Sequence, residues 1–200
     1  MPRKARQISD VPGSLYHIVC RGNNKRRIFR SKIDYKAFLE ILLKVKKQFP
    51  FYLYSFNPLP NHYHLEIETI DVSLSKIMHQ INFLYSLHFR KRYHTSGHLF
   101  QDRFYSSLIN KESYFWEVSR YIDLNAVRAG IVKRPQDYRW SSFSIYYQNK
   151  LNSKLIDCHR FLDYGGNNLE ESRLSYLQFV EEGLKLREKK PPFITSKKFV

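Results

Sequence analysis

Cysteine is scarce in this chain of 200 residues: there are two, Cys20 and Cys158, far apart. That excludes a disulfide framework and a four-cysteine metal centre. Glycine (7) and proline (8) are too few for a collagen-like or low-complexity chain. No apolar run approaches the ~20 residues a membrane helix needs. The basic residues between Met1 and Pro12 are not followed by the apolar stretch of a secretion signal. The expectation is a cytoplasmic chain without a membrane partner. Hydrophobic residues make up 42%, with 15 Phe and 15 Tyr, enough to fill the core of one domain and to exclude disorder.

Acidic residues are also in short supply, 18 against 34 Lys and Arg, for a net charge of +16. That exceeds the roughly 2–8 charges that solubility asks of a small domain. The excess is uneven, because residues 1–50 hold 13 basic and 3 acidic residues. A polyanion partner is implied, with nucleic acid ahead of an anionic membrane surface. Arg3, Lys4, Arg6, Lys25, Arg26, Arg27 and Arg30 are the candidates for phosphate contacts, which position a strand without reading its sequence.

Hydrophobic periodicity divides the chain. Leu15 to Arg21 alternates as a strand, and Gly22-Asn23-Asn24 breaks it. Asp34 stands where a helix cap belongs, ahead of Tyr35, Phe38, Leu39, Leu42, Leu43 and Val45 at helical spacing, and Pro50 marks the stop. Phe51 to Asn57 reads as a buried strand, residues 58–61 as a turn, and His62 to Thr69 as a half-buried strand. A helix from Ser73 to about Arg92, a strand from Leu99 to Ile109 and a helix from Ser113 to Gly130 follow. The order β-α-β-β-α-β-α predicts an α+β, ferredoxin-like sandwich with helices on one face of an antiparallel sheet. Residues 1–147 are expected to form this domain. Residues 148–200 are expected to form a small helical extension, with Leu174 to Leu186 as its last helix.

Two stretches carry residues capable of chemistry. His62 and His64, at i and i+2 on a strand, share one face and can hold a divalent cation; by itself this is a weak signal. Glu66 continues that face as a further ligand, a supporting group or a solvated residue. On the helix from Ser113, a turn of 100° per residue brings Tyr114, Glu117, Tyr121, Asn125 and Arg128 close to one line. Phe115, Val118, Ile122, Ala126 and Ala129 form an apolar stripe beside it. The polar line thus offers a hydroxyl nucleophile, a carboxamide and a cation, or simply a solvated helix face.

Five blocks then carry a resemblance: YHIVCRGNNKRRIF (Tyr16 to Phe29), LPNHYHL (Leu59 to Leu65), GHLFQDRF (Gly97 to Phe104), RYIDLNAVRAGIV (Arg120 to Val132) and DYRWSS (Asp137 to Ser142). In this order they resemble the single-tyrosine HUH transposases of the insertion-sequence-200-like group, and within it the REP-associated tyrosine transposases of bacteria. The resemblance implies that His62 and His64 are the paired histidine ligands, Tyr121 the nucleophile and Asn125 the third metal ligand, with Mg or Mn as cofactor. It places Arg103 and Arg128 in matching blocks, as DNA contacts or equally as structural ion-pair partners. Two departures stand out: Ala126 replaces the family's proline, which should make the helix more regular, and Glu66 replaces an apolar residue.

The implied activity is DNA transposition: a single-stranded DNA endonuclease and strand transferase acting on hairpin-forming palindromes through a 5′-phosphotyrosine intermediate. DNA recombination by a nucleoid-associated protein follows from that reading. The resemblance leaves room for a homodimer that shares active sites. The alternative is a domesticated protein that binds the same DNA without cleaving it, as a repressor or nucleoid factor. An RNA-binding module ranks last, because Leu99 to Ile109 lacks the glycine-aromatic pattern such a sheet uses.

Overall fold

The structure, a computed structural model, describes residues 12–166 and 168–185. Its framework is β1 (Leu15–Arg21), α1 (Lys32–Gln48), β2 (Phe51–Leu59), β3 (His62–Thr69), α2 (Leu74–Tyr93), β4 (Tyr105–Ile109) and α3 (Lys111–Asp123). Short helices α4 (Asn125–Arg128), α5 (Phe143–Tyr147) and α6 (Cys158–Leu162) precede a long α7 (Leu169–Lys185). The four strands form one antiparallel sheet in the order β2-β3-β1-β4. β1 and β2 run parallel to each other with β3 between them, which is the split β-α-β arrangement expected of the sequence.

Tyr63 fixes which way β3 faces. Its ring lies 4.7 Å from Phe38 of α1 and its hydroxyl donates to Asn82 Oδ1 of α2 at 2.5 Å. The residues that alternate with it, His62, His64, Glu66 and Glu68, therefore point to the opposite face. That face is not solvated. Helix α3 covers it, so the single helical layer expected from the sequence is joined by a second, and His64, Glu66 and Glu68 are all buried. The inward carboxylates have partners: Ser119 of α3 donates to Glu66, and Tyr54 and Arg160 donate to Glu68.

Several boundaries differ from the sequence reading. Asp34 is the third residue of α1, not its cap; Ser31 is the cap, and the Asp34 carboxylate accepts from the Ser31 backbone N–H at 2.8 Å. β2 continues through Pro58 to Leu59, which an edge strand tolerates, leaving a two-residue turn at Pro60 and Asn61. β4 is shorter than expected. Only Tyr105–Ile109 joins the ladder, while Phe100 makes an isolated bridge to Gly22. The last helix begins at Leu169, and Leu186 lies outside the described residues.

The helix expected over 113–130 also divides, at Leu124, despite its lack of proline. Side chains compete for its carbonyls there. Asn57 Nδ2 donates to the Ile122 carbonyl at 2.6 Å, and Asn125 Nδ2 donates to that of Tyr121 at 2.9 Å. Ala129, placed on the apolar stripe by its spacing, is exposed beyond this break. The C-terminal helices close the α3 side through Asp123, whose carboxylate accepts from Ser142 Oγ (2.7 Å) and Tyr176 Oη (2.6 Å).

Candidate active site

The two-residue turn delivers His62 to the end of the sheet, and the chain after β1 holds that turn in place. Gly22 N–H donates to the Asn61 carbonyl (2.8 Å), and Ile28 and Phe29 N–H groups donate to that of Pro60 (2.8 and 3.0 Å). Gly22 sits so close to this segment that a Cβ there would meet the Arg26 carbonyl oxygen at 2.4 Å. The tight approach puts the first matching block against the second.

His62 and His64 lie side by side with ring centroids 5.1 Å apart. The Tyr121 ring meets His64 edge-on at 5.9 Å and meets His17 of β1 edge-on at 5.7 Å. The structure therefore brings together the histidines and the tyrosine singled out in the sequence, and adds a third imidazole. Each imidazole of the pair has one nitrogen occupied. His62 Nδ1 donates to Asn61 Oδ1 at 2.6 Å, since a carboxamide oxygen can only accept. His64 Nδ1 faces His17 Nε2 at 3.0 Å. In both rings Nε2 is left for a ligand.

Electrostatics keep these rings neutral. Burial pushes His17 down to about 3, and burial with the Arg21 charge pushes His62 to about 4. His64 falls well below its ordinary value through burial and the charges of its neighbours. A neutral imidazole has the lone pair that metal coordination requires.

Tyr121 is raised above the usual phenol value by burial, against which the Arg128 charge and the Asn125 side chain work. Arg128 stacks its guanidinium 5.0 Å from the Tyr121 ring centre and points NH1 at the Tyr121 carbonyl (3.4 Å). Asn125 is held one turn from Tyr121 by its own hydrogen bond to that carbonyl. No group of three His, Cys, Asp or Glu side chains among the described residues is arranged to hold a metal. Asn125, one turn beyond Tyr121, offers a carboxamide oxygen that could complete a donor set on His62 and His64. With that oxygen the donor set fits a divalent cation of the Mg or Mn kind. Glu66 is occupied by Ser119 one layer deeper, as a supporting group in the wall.

The basic residues form a second assembly. Lys25, Arg27 and Arg30 are exposed and Arg26 partly so. Arg30 stacks over Phe89 (5.0 Å) and Tyr93 (4.6 Å), and Arg26 also reaches Phe89 (5.9 Å). These aromatics belong to the end of α2, so Arg90, Lys91 and Arg92 extend the same basic surface. The sequence reading passed over those three, although basic residues in a helix's last turn are a readable signal. Arg103 is exposed and lines a groove of ≈ 720 Å³ with Phe83, Arg90 and Phe100 on the α2 side of the sheet, away from Tyr121. Arg3, Lys4 and Arg6 lie outside the described residues. No described helix is long and apolar enough to cross a membrane.

Paired histidines on a central strand, set against a helix-borne tyrosine, define a class: an antiparallel α+β scaffold carrying a compact imidazole and phenol site. The family described as transposase IS200-like matches residues 10–125. The chain belongs to that family. Among solved structures, a REP-associated tyrosine transposase bound to a REP hairpin is similar over 76% of this chain and 90% of its own, at 20% identity and a TM-score of 0.63, which shows a shared fold. A protein of Deinococcus radiodurans R1, provisionally assigned as a transposase, aligns over 60% of this chain and 95% of its own, at 14% identity and a TM-score of 0.43. No curated protein matches the chain.

Proposed function

We propose that the chain is a metal-assisted transposase that cleaves and joins single-stranded, hairpin-forming DNA through a covalent tyrosine intermediate. The observation that carries this reading is the contact of Tyr121 with His64, alongside two imidazoles whose Nε2 atoms are both uncommitted. Tyr121 Oη attacks the scissile phosphorus in line. The Tyr–O–P bond forms, the P–O3′ bond breaks, and the departing oxygen takes up a proton as the phenol loses one. The phosphodiester energy is conserved in the link, so a second 3′-hydroxyl can reverse the step and join DNA.

His62 Nε2, His64 Nε2 and the Asn125 carboxamide oxygen would hold the cation. Bound there, a divalent ion supplies Lewis acidity to the scissile phosphate. The remaining work belongs to side chains on this chain. Burial leaves Tyr121 protonated at neutral pH, and the Arg128 guanidinium offsets part of that cost. Lys25, Arg26, Arg27, Arg30 and the end of α2 supply phosphate contacts, and their stacked aromatics suit unpaired bases. Arg103 contacts DNA from the α2 groove.

The test is a gel assay with a labelled pool of single-stranded palindromes and Mn, comparing the wild type with Tyr121→Phe. The expected result is a covalent protein–DNA band that the variant lacks completely. An adduct that survives in Tyr121→Phe refutes the nucleophile assignment. Tight binding with no adduct from either protein favours the non-cleaving, domesticated reading.

A further inference from the structure

His17 lies outside every role assigned above, yet it is fully buried beside the site. The β1–β3 register sets it opposite Glu66 and diagonal to His64, so its ring points into the α3 face. Its plane is within 4° of that of His64, with centroids 5.2 Å apart. Combined with the 3.0 Å separation of Nε2 and Nδ1, this makes the rings nearly coplanar, meeting edge to edge through one hydrogen bond. An apolar residue would fill the position at less desolvation cost. Among the described residues the His64 bond is the one hydrogen bond the His17 ring makes, and its Nδ1 has no partner.

We infer that His17 is a positioning residue, which accepts the His64 Nδ1 proton and so holds His64 with its Nε2 lone pair directed at the cation. The inference rests on the metal-assisted reading above. Two neutral tautomer pairs are available. When His64 donates, its Nε2 is free to ligate. When His17 donates, His64 carries its proton on Nε2 and cannot ligate. Asn61 does the same service for His62, with a carboxamide oxygen that admits only one direction of donation. Outer groups of this kind orient a ligand ring, and their loss typically costs about 10–100-fold in metal affinity. His17 also meets the edge of Tyr121, so one side chain braces both a ligand and the proposed nucleophile.

The test is Mn affinity, by titration calorimetry on the full chain with Mn alone, for the wild type, His17→Leu, His17→Gln and His64→Ala. His17→Leu is expected to bind Mn about 10–100-fold more weakly. His17→Gln, whose amide oxygen can accept the same proton, is expected within a few-fold of wild type. Nitrogen-15 spectra of the wild-type imidazoles with Mg alone give a readout that needs no variant to fold. They should show His64 protonated on Nδ1 and His17 unprotonated on Nε2. A proton on His17 Nε2, or a folded His17→Leu with wild-type Mn affinity, overturns the assignment. Wild-type Mn binding that is absent, or indifferent to His64→Ala, overturns the metal reading itself and takes this assignment with it.

Discussion

At the scale of single residues, the site is a contest between burial and charge. As the proposed nucleophile Tyr121 would have to lose a proton, and its burial resists this. Arg128 is the nearest counterweight, stacked on the ring from one face. Removing it by Arg128→Ala should let the phenol rise further. Adduct formation at pH 7 is then expected to fall roughly 3–10-fold, and its pH profile to move upward, with Arg128→Lys in between. Single-turnover cleavage measured from pH 6 to 10 checks this, and a uniform loss at every pH would assign Arg128 to DNA binding alone. Tyr121 and Asn125 were legible as one helical line because a helix's pitch is fixed. His17 and Asn61 were not, because their relation to His64 and His62 depends on strand register and on a two-residue turn.

At the scale of elements, two devices hold the basic surface to the sheet. The first is the hairpin tip, clasped by the segment that follows Gly22. The second is Asp34. Its buried carboxylate accepts from the Arg30 and Ser31 backbone (2.8 Å each) and from Tyr93 Oη (2.7 Å), and it faces His88 and Arg92. It thereby ties the start of α1 to the end of α2, the two ends that carry the arginine and aromatic stack. Asp34→Ala removes all of these acceptors at once. The expected cost is about 3 kcal/mol in urea unfolding, with most of it retained in Asp34→Asn. The division of α3 from α4 also belongs to this scale. Asn57 reaches from β2 to the Ile122 carbonyl, so a strand ends the helix whose own sequence would have continued it.

At the scale of the whole molecule, pH and salt act on opposite sides of the sheet. His17 and His62 have folded values of about 3 and 4, below the unfolded 6.5, and His64 shifts the same way. Their contribution to stability is complete above about pH 6.5 and is lost as pH falls towards the folded values. Asp123 runs the other way. Burial raises it to about 7, so its contribution is complete below about pH 4 and is lost as pH rises through 7. With three histidines against one carboxyl, thermal midpoints of the metal-free protein should fall as pH drops from 7 to 5. Asp123→Asn should gain about 1–2 kcal/mol over wild type at pH 7 and nothing at pH 4.

Salt probes the other side. For a single strand, each phosphate contact contributes a slope of about −0.7 in log K against log salt. Replacing Lys25, Arg26, Arg27 and Arg30 by Gln should therefore flatten the slope by about 3. An unchanged slope would remove this segment from the DNA interface.

Composition and periodicity by themselves determined the basic excess of the chain, the strand and helix order of the sheet, and the pairing of His62 with His64 on one face. Those follow from local rules: charge is counted, and side chains alternate with a period that the backbone imposes. The tertiary structure alone decided that this face is covered, since a polar alternation reads as solvated until another element packs on it. It also decided which nitrogen of His62 and of His64 faces a protein partner, where α3 ends, and that the described residues after 148 pack back on the body, as Tyr176 does on Asp123. Most of these depend on partners distant in sequence, 47 residues apart for His17 and His64 and 65 for Asn57 and Ile122, while the His62 nitrogen depends on the turn that sets it against Asn61. Spacing along a chain carries no information about contacts that only the closure of the sheet creates.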